Sequence, residues 1–382
     1  MIGVIADDLT GASELGGIGV RHGLKAEVIL QGECIGNADL VCIDTDSRAC
    51  PAKEAARRAA AAARKLRKAG AYWIYKKVDS VLRGNVLAEI DAIQTALGLS
   101  SALLVPANPC FGRVIRKGRY FVNGKPIHKT GFARDPEYPR KSSNVLDLLK
   151  GSKAHRVVVS HLAQRPPERG IVLGEVSSSS DVQEWVSRRN ANTLLAGGAE
   201  FFGAALNEMG FSQIKCPSKL LTKGRMAREL FVCGSTSDFT DRFVREAQKS
   251  GVPVFNCRPP GRGRRFSFGW LTVECIAREA ILGYNSKPSL ILTIRPLIEN
   301  RAVARKLSRH LAEIAALIIE RAKPDQIYAE GGATAAEMVR CMGWSRMNVL
   351  NELAPGVTTL SLPGREKPLL TIKPGSYAGW PT

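Results

Sequence analysis

The chain has 382 residues, of which 45% are hydrophobic and 24% are charged, so its composition is that of an ordinary globular protein. This composition excludes a wholly disordered chain and a collagen-like repeat, and the length suggests about two or three domains. The 55 lysines and arginines exceed the 35 acidic residues by 20, and this net charge invites a nucleic-acid or anionic-membrane interpretation.

The positive charge is spread evenly along the chain. Residues 1–220 contain 31 basic and 21 acidic side chains, and residues 221–382 contain 24 and 14, so each half carries +10. Basic residues are concentrated locally at residues 111–141 and 258–265, but neither segment interleaves aromatic with basic residues as an RNA-recognition motif does. The charge alone therefore does not separate nucleic-acid binding from a generally basic character.

Cysteine usage and hydropathy bear on the compartment. The nine cysteines are scattered and form no Cys-x-x-Cys pair, which is typical of reduced thiols in a cytosolic protein. No apolar run approaches the roughly 18–20 residues that a membrane span needs, and the beginning of the sequence lacks the apolar core of a secretory signal. The sequence therefore predicts a cytoplasmic protein.

Short apolar runs alternate with segments of helical period, which is the pattern of an α/β protein. In the first half the predicted strands are residues 2–6, 41–43, 71–76, 102–105, 156–160 and 193–196, and the predicted helices are 52–69 and 86–97. Residues 106–139 show no clear periodicity. In the second half the predicted strands are 230–233, 252–255, 290–294 and 326–329, with an amphipathic helix over 302–321. A polar segment near 210–225 is predicted to be a linker, which gives two α/β domains, 1–215 and 225–382.

Two polar clusters directly follow predicted strands of the first half. They contain Asp7, Asp8 and Thr10 in one, and Lys76, Lys77, Asp79, Ser80, Arg83 and Asn85 in the other. In open α/β sheets, ligands bind beyond the carboxyl ends of the strands, where carboxylates accept protons and arginines bind carboxylates. The first cluster alone is explained about as well by a helix cap, and the second alone is better explained by a polar turn with a cap. Two such clusters in one domain favour a polar small-molecule site.

Three loops of small residues follow strands or apolar segments of the second half, at residues 233–237, 330–335 and 373–376. Glycines at a strand–helix junction let backbone N–H groups approach a phosphate. Each loop is individually a common turn, and together they predict a nucleotide pocket. The G-x-x-x-x-G-K-[ST] motif and a complete dinucleotide-binding fingerprint are absent from the sequence.

The order of these motifs resembles that of the four-carbon acid sugar kinases. Residues 6–12, 77–85, 106–126, 234–237, 331–335, 355–357 and 373–375 are similar to the family's motifs and occur in family order, nearly from end to end. The resemblance implies two α/β domains with mainly parallel sheets and a ligand cleft between them. It also implies that residues 1–215 bind the sugar acid and that residues 225–382 bind the nucleotide.

The resemblance further implies ATP-dependent phosphorylation of a hydroxyl of a threonate-, erythronate- or 3-oxo-tetronate-type acid. Asp8 is then the expected base, with Asp79 as the competing candidate, and Arg83 with Lys76 or Lys77 would bind the substrate carboxylate or the transferring phosphoryl group. The other expected substrate-binding residues are Asp7, Thr10, Ser80 and Asn85. The residues expected to line ATP, with Mg²⁺ bridging its phosphates, are Ser235, Ser237, Gly331, Gly332, Thr334 and Gly375. No nucleic-acid or membrane partner is implied, and a homodimer is compatible with the resemblance.

The sequence departs from the family pattern at a few positions. Ala333 stands where the family usually has Asp, and Ser13 and Glu14 replace the more usual Asn-Asp. The loss of the carboxylate at Ala333 suggests an alternative, a relative that binds ATP and sugar acid but transfers phosphate weakly. The charge of +20 suggests a third alternative, a nucleic-acid-binding protein, which would bind DNA or RNA in a strongly salt-dependent way.

Overall fold

The chain folds into two compact units, Met1–Lys215 and Cys216–Thr382. The computed structural model describes residues 1–30, 35–135, 138–149, 151, 157–165, 167–214, 227–235, 237–257, 270–285, 287–294, 301–375 and 380. Part of the predicted linker, the arginine-rich segment 258–265, Thr236 and Ser376 lie outside the described residues. The domain limits 1–215 and 225–382 stay a prediction.

The first unit is an open parallel sheet covered by helices. Its strands, with a small separate sheet formed by β6 to β8, are β1 (Ile2–Ala6), β2 (Ala26–Leu30), β3 (Leu40–Asp44), β4 (Trp73–Lys77), β5 (Ser101–Val105), β6 (Arg113–Arg116), β7 (Arg119–Val122), β8 (Lys125–Pro126), β9 (Val157–Ser160), β10 (Gly170–Gly174) and β11 (Thr193–Gly197). The helices are α1 (Leu9–Arg21), α2 (Ala52–Lys68), α3 (Val86–Leu97), α4 (Val145–Leu148), α5 (Ser179–Ser187) and α6 (Ala199–Glu208). The parallel strands lie in the order β2-β3-β1-β4-β11-β5-β10-β9.

The order of the central strands determines which loops meet. β1 and β3 are buried along their whole length, as expected for parallel strands with helices on both faces. β1 lies between β3 and β4, with Ala6 opposite Asp44 and Ile5 opposite Lys76. The loops that follow these three strands therefore leave the sheet at the same edge.

Residues 106–139, which lack periodicity in the sequence, contain the antiparallel sheet of β6, β7 and β8 and single turns of 3₁₀ helix. These strands have two to four residues, too few for a period-2 pattern to stand out. Ile115 and Tyr120 are buried on one side of this sheet, and the Tyr120 hydroxyl donates a hydrogen bond to the Ser80 carbonyl oxygen. The small sheet thus packs against the second polar cluster.

The second unit is also built around parallel strands. Its elements are β12 (Glu229–Cys233), α7 (Asp238–Lys249), β13 (Val254–Asn256), α8 (Trp270–Asn285), β14 (Ser289–Thr293), α9 (Arg301–Ala322), β15 (Gln326–Glu330), α10 (Gly332–Cys341), β16 (Arg346–Ala354), β17 (Val357–Ser361) and β18 (Leu369–Lys373). The strand order is β13-β14-β12-β15-β18-β17-β16, and β17 runs antiparallel to both of its neighbours. The predicted α/β class with mainly parallel sheets is confirmed. No helix among the described residues of either unit is long and apolar enough to cross a membrane.

Candidate active site

An arginine that the sequence analysis did not select joins the polar clusters of the first unit. Arg48 follows β3, and its guanidinium donates to both carboxylate oxygens of Asp7, Nε to Oδ2 at 2.8 Å and Nη2 to Oδ1 at 2.9 Å. Its Nη1 donates to Asp8 Oδ2 at 2.6 Å, and its Nη2 lies 4.0 Å from Asp79 Oδ1. The loops after β1, β3 and β4 therefore share one cationic centre.

Asp79 is saturated with hydrogen-bond donors. Arg83 donates Nε to Asp79 Oδ2 at 3.0 Å and Nη2 to Oδ1 at 2.8 Å, and the backbone N–H groups of Val81 and Arg83 also donate to Oδ2. Burial alone raises the pKa of Asp79, but the guanidinium groups of Arg83 and Arg48 outweigh burial and hold this pKa well below its ordinary value. Asp79 is thus a firmly ionised carboxylate and a poor proton acceptor.

Asp8 has a different environment. Its Oδ1 accepts the Gly11 N–H at 2.8 Å and caps α1, and its side chain is 20% exposed. Burial and the neighbouring Asp7 raise the pKa of Asp8 above its ordinary value, against the opposing effect of Arg48 and Lys77. Asp7 differs because Arg48 outweighs its burial and lowers the pKa. Of the two carboxylates proposed as a base, Asp8 is the better suited to accept a proton.

The two lysines at the end of β4 form ion pairs inside the fold. Lys76 Nζ lies 2.5 Å from Glu89 Oε2 on α3, and both side chains are only 1% exposed. Lys77 Nζ lies 3.1 Å from Glu14 Oε2 on α1. Burial lowers the pKa of Lys77, but Glu14, Asp8 and Asp79 reverse this effect and raise it. Lys77 therefore stays charged beside the carboxylate cluster, whereas Lys76 is enclosed beneath it.

The remaining predicted substrate-binding residues mostly interact with the protein itself. Ser80 Oγ accepts a hydrogen bond from Arg113 Nη1. Asn85 Nδ2 donates to the carbonyl oxygens of Cys50 at 2.9 Å and Ser47 at 3.4 Å, so it holds the loop that carries Arg48. Thr10 Oγ1 is buried and has no hydrogen-bond partner among the described residues.

Sequence reasoning missed the residues that support the cluster from a distance. Besides Arg48, these include Glu89, which accepts the Ser47 hydroxyl at 2.6 Å, and Tyr138, whose hydroxyl donates to the Arg48 carbonyl oxygen. One sequence signal was available for Arg48. It lies in a polar segment directly after a predicted strand, the criterion that selected the other two clusters.

The three small-residue loops of the second unit are also brought together. β12, β15 and β18 are adjacent, with Cys233 opposite Glu330 and Glu330 opposite Lys373, so their carboxyl ends lie at one edge. Ser235 Oγ donates to the Gly375 carbonyl oxygen at 3.3 Å. A Cβ atom on Gly234 would lie 1.8 Å from Thr334 Oγ1, so the first and second loops pack too closely for a side chain there.

Two helices begin at these loops. Ser237 caps α7 by accepting the Thr240 N–H at 3.3 Å, and Gly331 immediately precedes Gly332, the first residue of α10. Gly331 has a φ of +96°, a conformation that residues with a side chain rarely adopt. The loops therefore lie at the N-termini of two helices, and helix N-termini are a common feature of phosphate-binding sites.

A buried ion pair lies directly beneath these loops. Lys373 Nζ is 2.8 Å from Glu330 Oε1, which also accepts the Thr240 hydroxyl at 2.9 Å. Glu330 Oε2 is buried without a hydrogen-bond partner in the described part of the chain. The described residues contain no group of three His, Cys, Asp or Glu side chains that could hold a metal ion.

The two units together define a two-domain α/β protein with a polar, carboxylate-rich site in one unit and glycine-rich loops in the other. Residues 2–193 match the family model of a sugar-binding N-terminal domain, and residues 230–377 match that of a nucleotide-binding C-terminal domain. The chain belongs to the family that joins these two domains, and its predicted membership of the four-carbon acid sugar kinases is confirmed.

Curated relatives extend over nearly the whole chain. A D-threonate kinase of Salmonella typhimurium is 27% identical and covers 92% of this chain and 89% of its own. A D-erythronate kinase of Heliobacterium modesticaldum is 27% identical, and the match covers 92% of this chain and 88% of that relative. A 3-oxo-tetronate kinase of Methylobacterium radiotolerans is 25% identical, with 99% and 96% covered.

Solved structures share the fold. A protein from Salmonella typhimurium has a TM-score of 0.77 at 21% identity, with 99% of this chain and 96% of that chain covered. A protein from Haemophilus influenzae has a TM-score of 0.69 at 19% identity, with 99% and 97% covered.

Proposed function

We propose that this protein is an ATP-dependent kinase that phosphorylates a hydroxyl of a four-carbon sugar acid. The observation that carries the proposal is the cluster of Asp7, Asp8, Arg48, Asp79 and Arg83 at the carboxyl ends of adjacent strands in the sugar-binding domain. The names of the full-length relatives support the reaction and the substrate class.

Asp8 is proposed as the base of the reaction. The substrate hydroxyl oxygen forms a bond to the γ-phosphorus of ATP, the bond from that phosphorus to the bridging oxygen breaks, and ADP leaves. The hydroxyl proton passes to the carboxylate of Asp8, whose raised pKa and partial exposure favour this role. Arg48 holds Asp8 in place and limits charge repulsion within the cluster. Asp79 is paired with Arg83 through two hydrogen bonds and is therefore less available as a base.

ATP is proposed to bind at the loops of the second unit. Backbone N–H groups near Gly331 and the N-termini of α7 and α10 favour phosphate oxygens. Mg²⁺ would be held at this edge mainly by the phosphates, because Glu330 is buried and paired with Lys373. When bound there, the ion neutralises phosphate charge during transfer.

The proposal is tested by a screen of ATP consumption with D-threonate, L-threonate, D-erythronate and the 3-oxo-tetronates, each with Mg²⁺. Consumption that depends on one of these acids, with a stoichiometric phosphorylated product identified by mass spectrometry, is the expected result. ATP binding without transfer to any four-carbon acid would instead favour the ligand-binding relative suggested by Ala333.

We expect the substitution Gly331→Ala to weaken ATP binding. Alanine at a φ of +96° is strained, and the Gly331 N–H that donates to the Lys373 carbonyl oxygen would shift. The free energy of unfolding should fall by about 1–3 kcal/mol, and the ATP dissociation constant measured by calorimetry should rise. Gly364→Ala is the matched control, because Gly364 has a φ of +68° in the turn before β18, at the end of that strand away from Lys373. Equal ATP affinity in both variants would contradict the proposed phosphate site.

A further inference from the structure

Arg140 is a buried arginine without a counter-ion in the described part of the chain. The residue as a whole is only 6% exposed. Its Nε donates to the Tyr138 carbonyl oxygen at 2.9 Å, and its Nη1 reaches the Leu148 carbonyl oxygen only at 3.5 Å, the limit for a hydrogen bond. No described carboxylate forms an ion pair with it. Carbonyl oxygens therefore satisfy only part of this guanidinium.

Other cations around the carboxylate cluster are paired with acids of the protein. Lys76 pairs with Glu89, Lys77 with Glu14, and Arg83 with Asp79. Arg48 pairs with Asp7 and Asp8 in the same way. Because removing a charge from water without a partner costs free energy, a buried arginine with no carboxylate partner among the described residues is suited to binding an anion that arrives from outside the fold.

Arg140 lies beside the candidate active site. Its guanidinium is over the Tyr138 ring, 5.8 Å from the centroid, and the hydroxyl of that ring donates to the Arg48 carbonyl oxygen. The Arg140 backbone N–H donates to the carbonyl oxygen of Phe132. The guanidinium of Arg113 lies over the ring of Phe132. Burial lowers the pKa of Arg140 and the charge of Arg83 adds to this effect, whereas Asp79 and Asp135 oppose it. Charged residues of the cluster thus lie close enough to Arg140 to act on it electrostatically.

We propose that Arg140 binds the carboxylate of the sugar acid. A planar guanidinium can donate two parallel N–H groups to one carboxylate, which orients the acid as well as attracting it. The ligand's identity rests on the proposed function, whereas the burial of Arg140 without an ion pair to a described carboxylate is an observation on the fold. Arg140 then distinguishes a sugar acid from a neutral molecule of the same size.

The test measures binding by calorimetry without ATP, using D-threonate, D-erythronate and the neutral amide of each acid. The variants are Arg140→Met and Arg140→Lys, and Arg119→Met is the control, because Arg119 is an exposed arginine on β7. We expect Arg140→Met to weaken binding of the better acid by about 10- to 100-fold, with little change for its amide. Arg140→Lys should retain part of the affinity, and Arg119→Met should behave as the parent protein.

A thermal unfolding measurement separates binding from a structural role. Because Arg140→Met removes a buried charge that no described carboxylate balances, its unfolding temperature without ligand should equal or exceed that of the parent protein. A lower unfolding temperature with unchanged acid affinity would overturn the proposal. If Arg140→Met does not fold, unchanged acid affinity of Arg140→Lys would overturn it.

The outcomes also separate this proposal from the kinase function. Full acid affinity in the Arg140 variants, with acid-dependent ATP consumption intact, would overturn the role of Arg140 and leave the kinase function standing. Selective loss of acid binding in a protein that phosphorylates none of these acids would support Arg140 and refute the kinase function. Failure of the parent protein to bind any acid would overturn both.

Discussion

Replacing Asp8 with asparagine is expected to lower the rate of phosphoryl transfer by about 10²- to 10⁴-fold, the usual contribution of a positioned base. Asparagine retains an oxygen that can accept the Gly11 N–H, so the cap of α1 remains. Its amide nitrogen cannot accept a proton from the substrate hydroxyl. Single-turnover measurements of product formation at saturating ATP and sugar acid would give the rate directly.

Asp79→Asn is the matched comparison, because it changes the competing carboxylate in the same way. Arg83 and Arg48 then lose a buried partner, so the expected effect is mainly on stability and on substrate affinity. If folded Asp79→Asn lost more of the transfer rate than Asp8→Asn, the assignment of the base would be wrong.

The pH dependence of activity follows from the environment of Asp8. Burial and Asp7 raise its pKa above the ordinary value of 3.8, so the ionised base is lost as the pH falls through this raised pKa. We therefore expect kcat/KM to decrease on the acidic side with a midpoint above 3.8. The residual activity of Asp8→Asn should lack this decrease, and an unchanged profile in the variant would point to another base.

Replacing Arg48 with methionine is expected to lower the free energy of unfolding strongly. This change leaves Asp7 without its cation and removes a partner of Asp8 and Asp79, all within a mostly buried cluster. Removing one partner of a buried ion pair typically costs about 3–5 kcal/mol, because the remaining charge is uncompensated. Urea denaturation at pH 7 would measure this loss, and kinase activity should fall with it because Asp8 loses its orientation.

The penalty of Arg48→Met should depend on pH in a defined direction. Burial raises the pKa of Asp7, but Arg48 lowers it by more. At Asp79 the same effect of burial is outweighed by Arg48 together with Arg83. Both carboxyls therefore have folded pKa values below 3.8. Such groups contribute stability above their unfolded pKa, and this contribution is lost as the pH falls through the folded value. The difference in unfolding free energy between parent and variant should therefore shrink as the pH falls below about 3.8.

Arg57→Met is the matched control for that experiment. Arg57 pairs with Glu54 on the exposed side of α2, where solvent screens the interaction, so its loss should change stability little. A similar effect of both substitutions, or a penalty for Arg48→Met that grows at low pH, would contradict the role given to Arg48.

Much of the secondary structure follows from local pattern. β1 was predicted at its observed bounds, because a buried parallel strand is a continuous apolar run. The same is true of α3, because a packed helix repeats its apolar residues every three or four positions. The strands β2, β17 and β18 were missed, because runs of five residues with mixed polarity give little periodic signal.

The basic residues of the second polar cluster do not account for the net charge of +20. Lys76, Lys77 and Arg83 are paired with Glu89, Glu14 and Asp79, so they balance acids of the protein rather than forming a free positive surface. Arg140, by contrast, is buried and forms no ion pair with a described acid.

The sequence by itself determined the α/β class, the position of Asp8 and Asp79 after buried strands, and the family motifs, because these depend on local pattern and order. Only the tertiary structure decided which charged side chains pair with each other. β1 lies between β3 and β4 in the sheet, which brings Arg48 onto Asp7 and Asp8 across 40 residues of sequence. Neighbouring residues of a strand point to opposite faces. Lys76 therefore meets Glu89 on α3 while Lys77 meets Glu14 on α1, a difference set by the helix that covers each face.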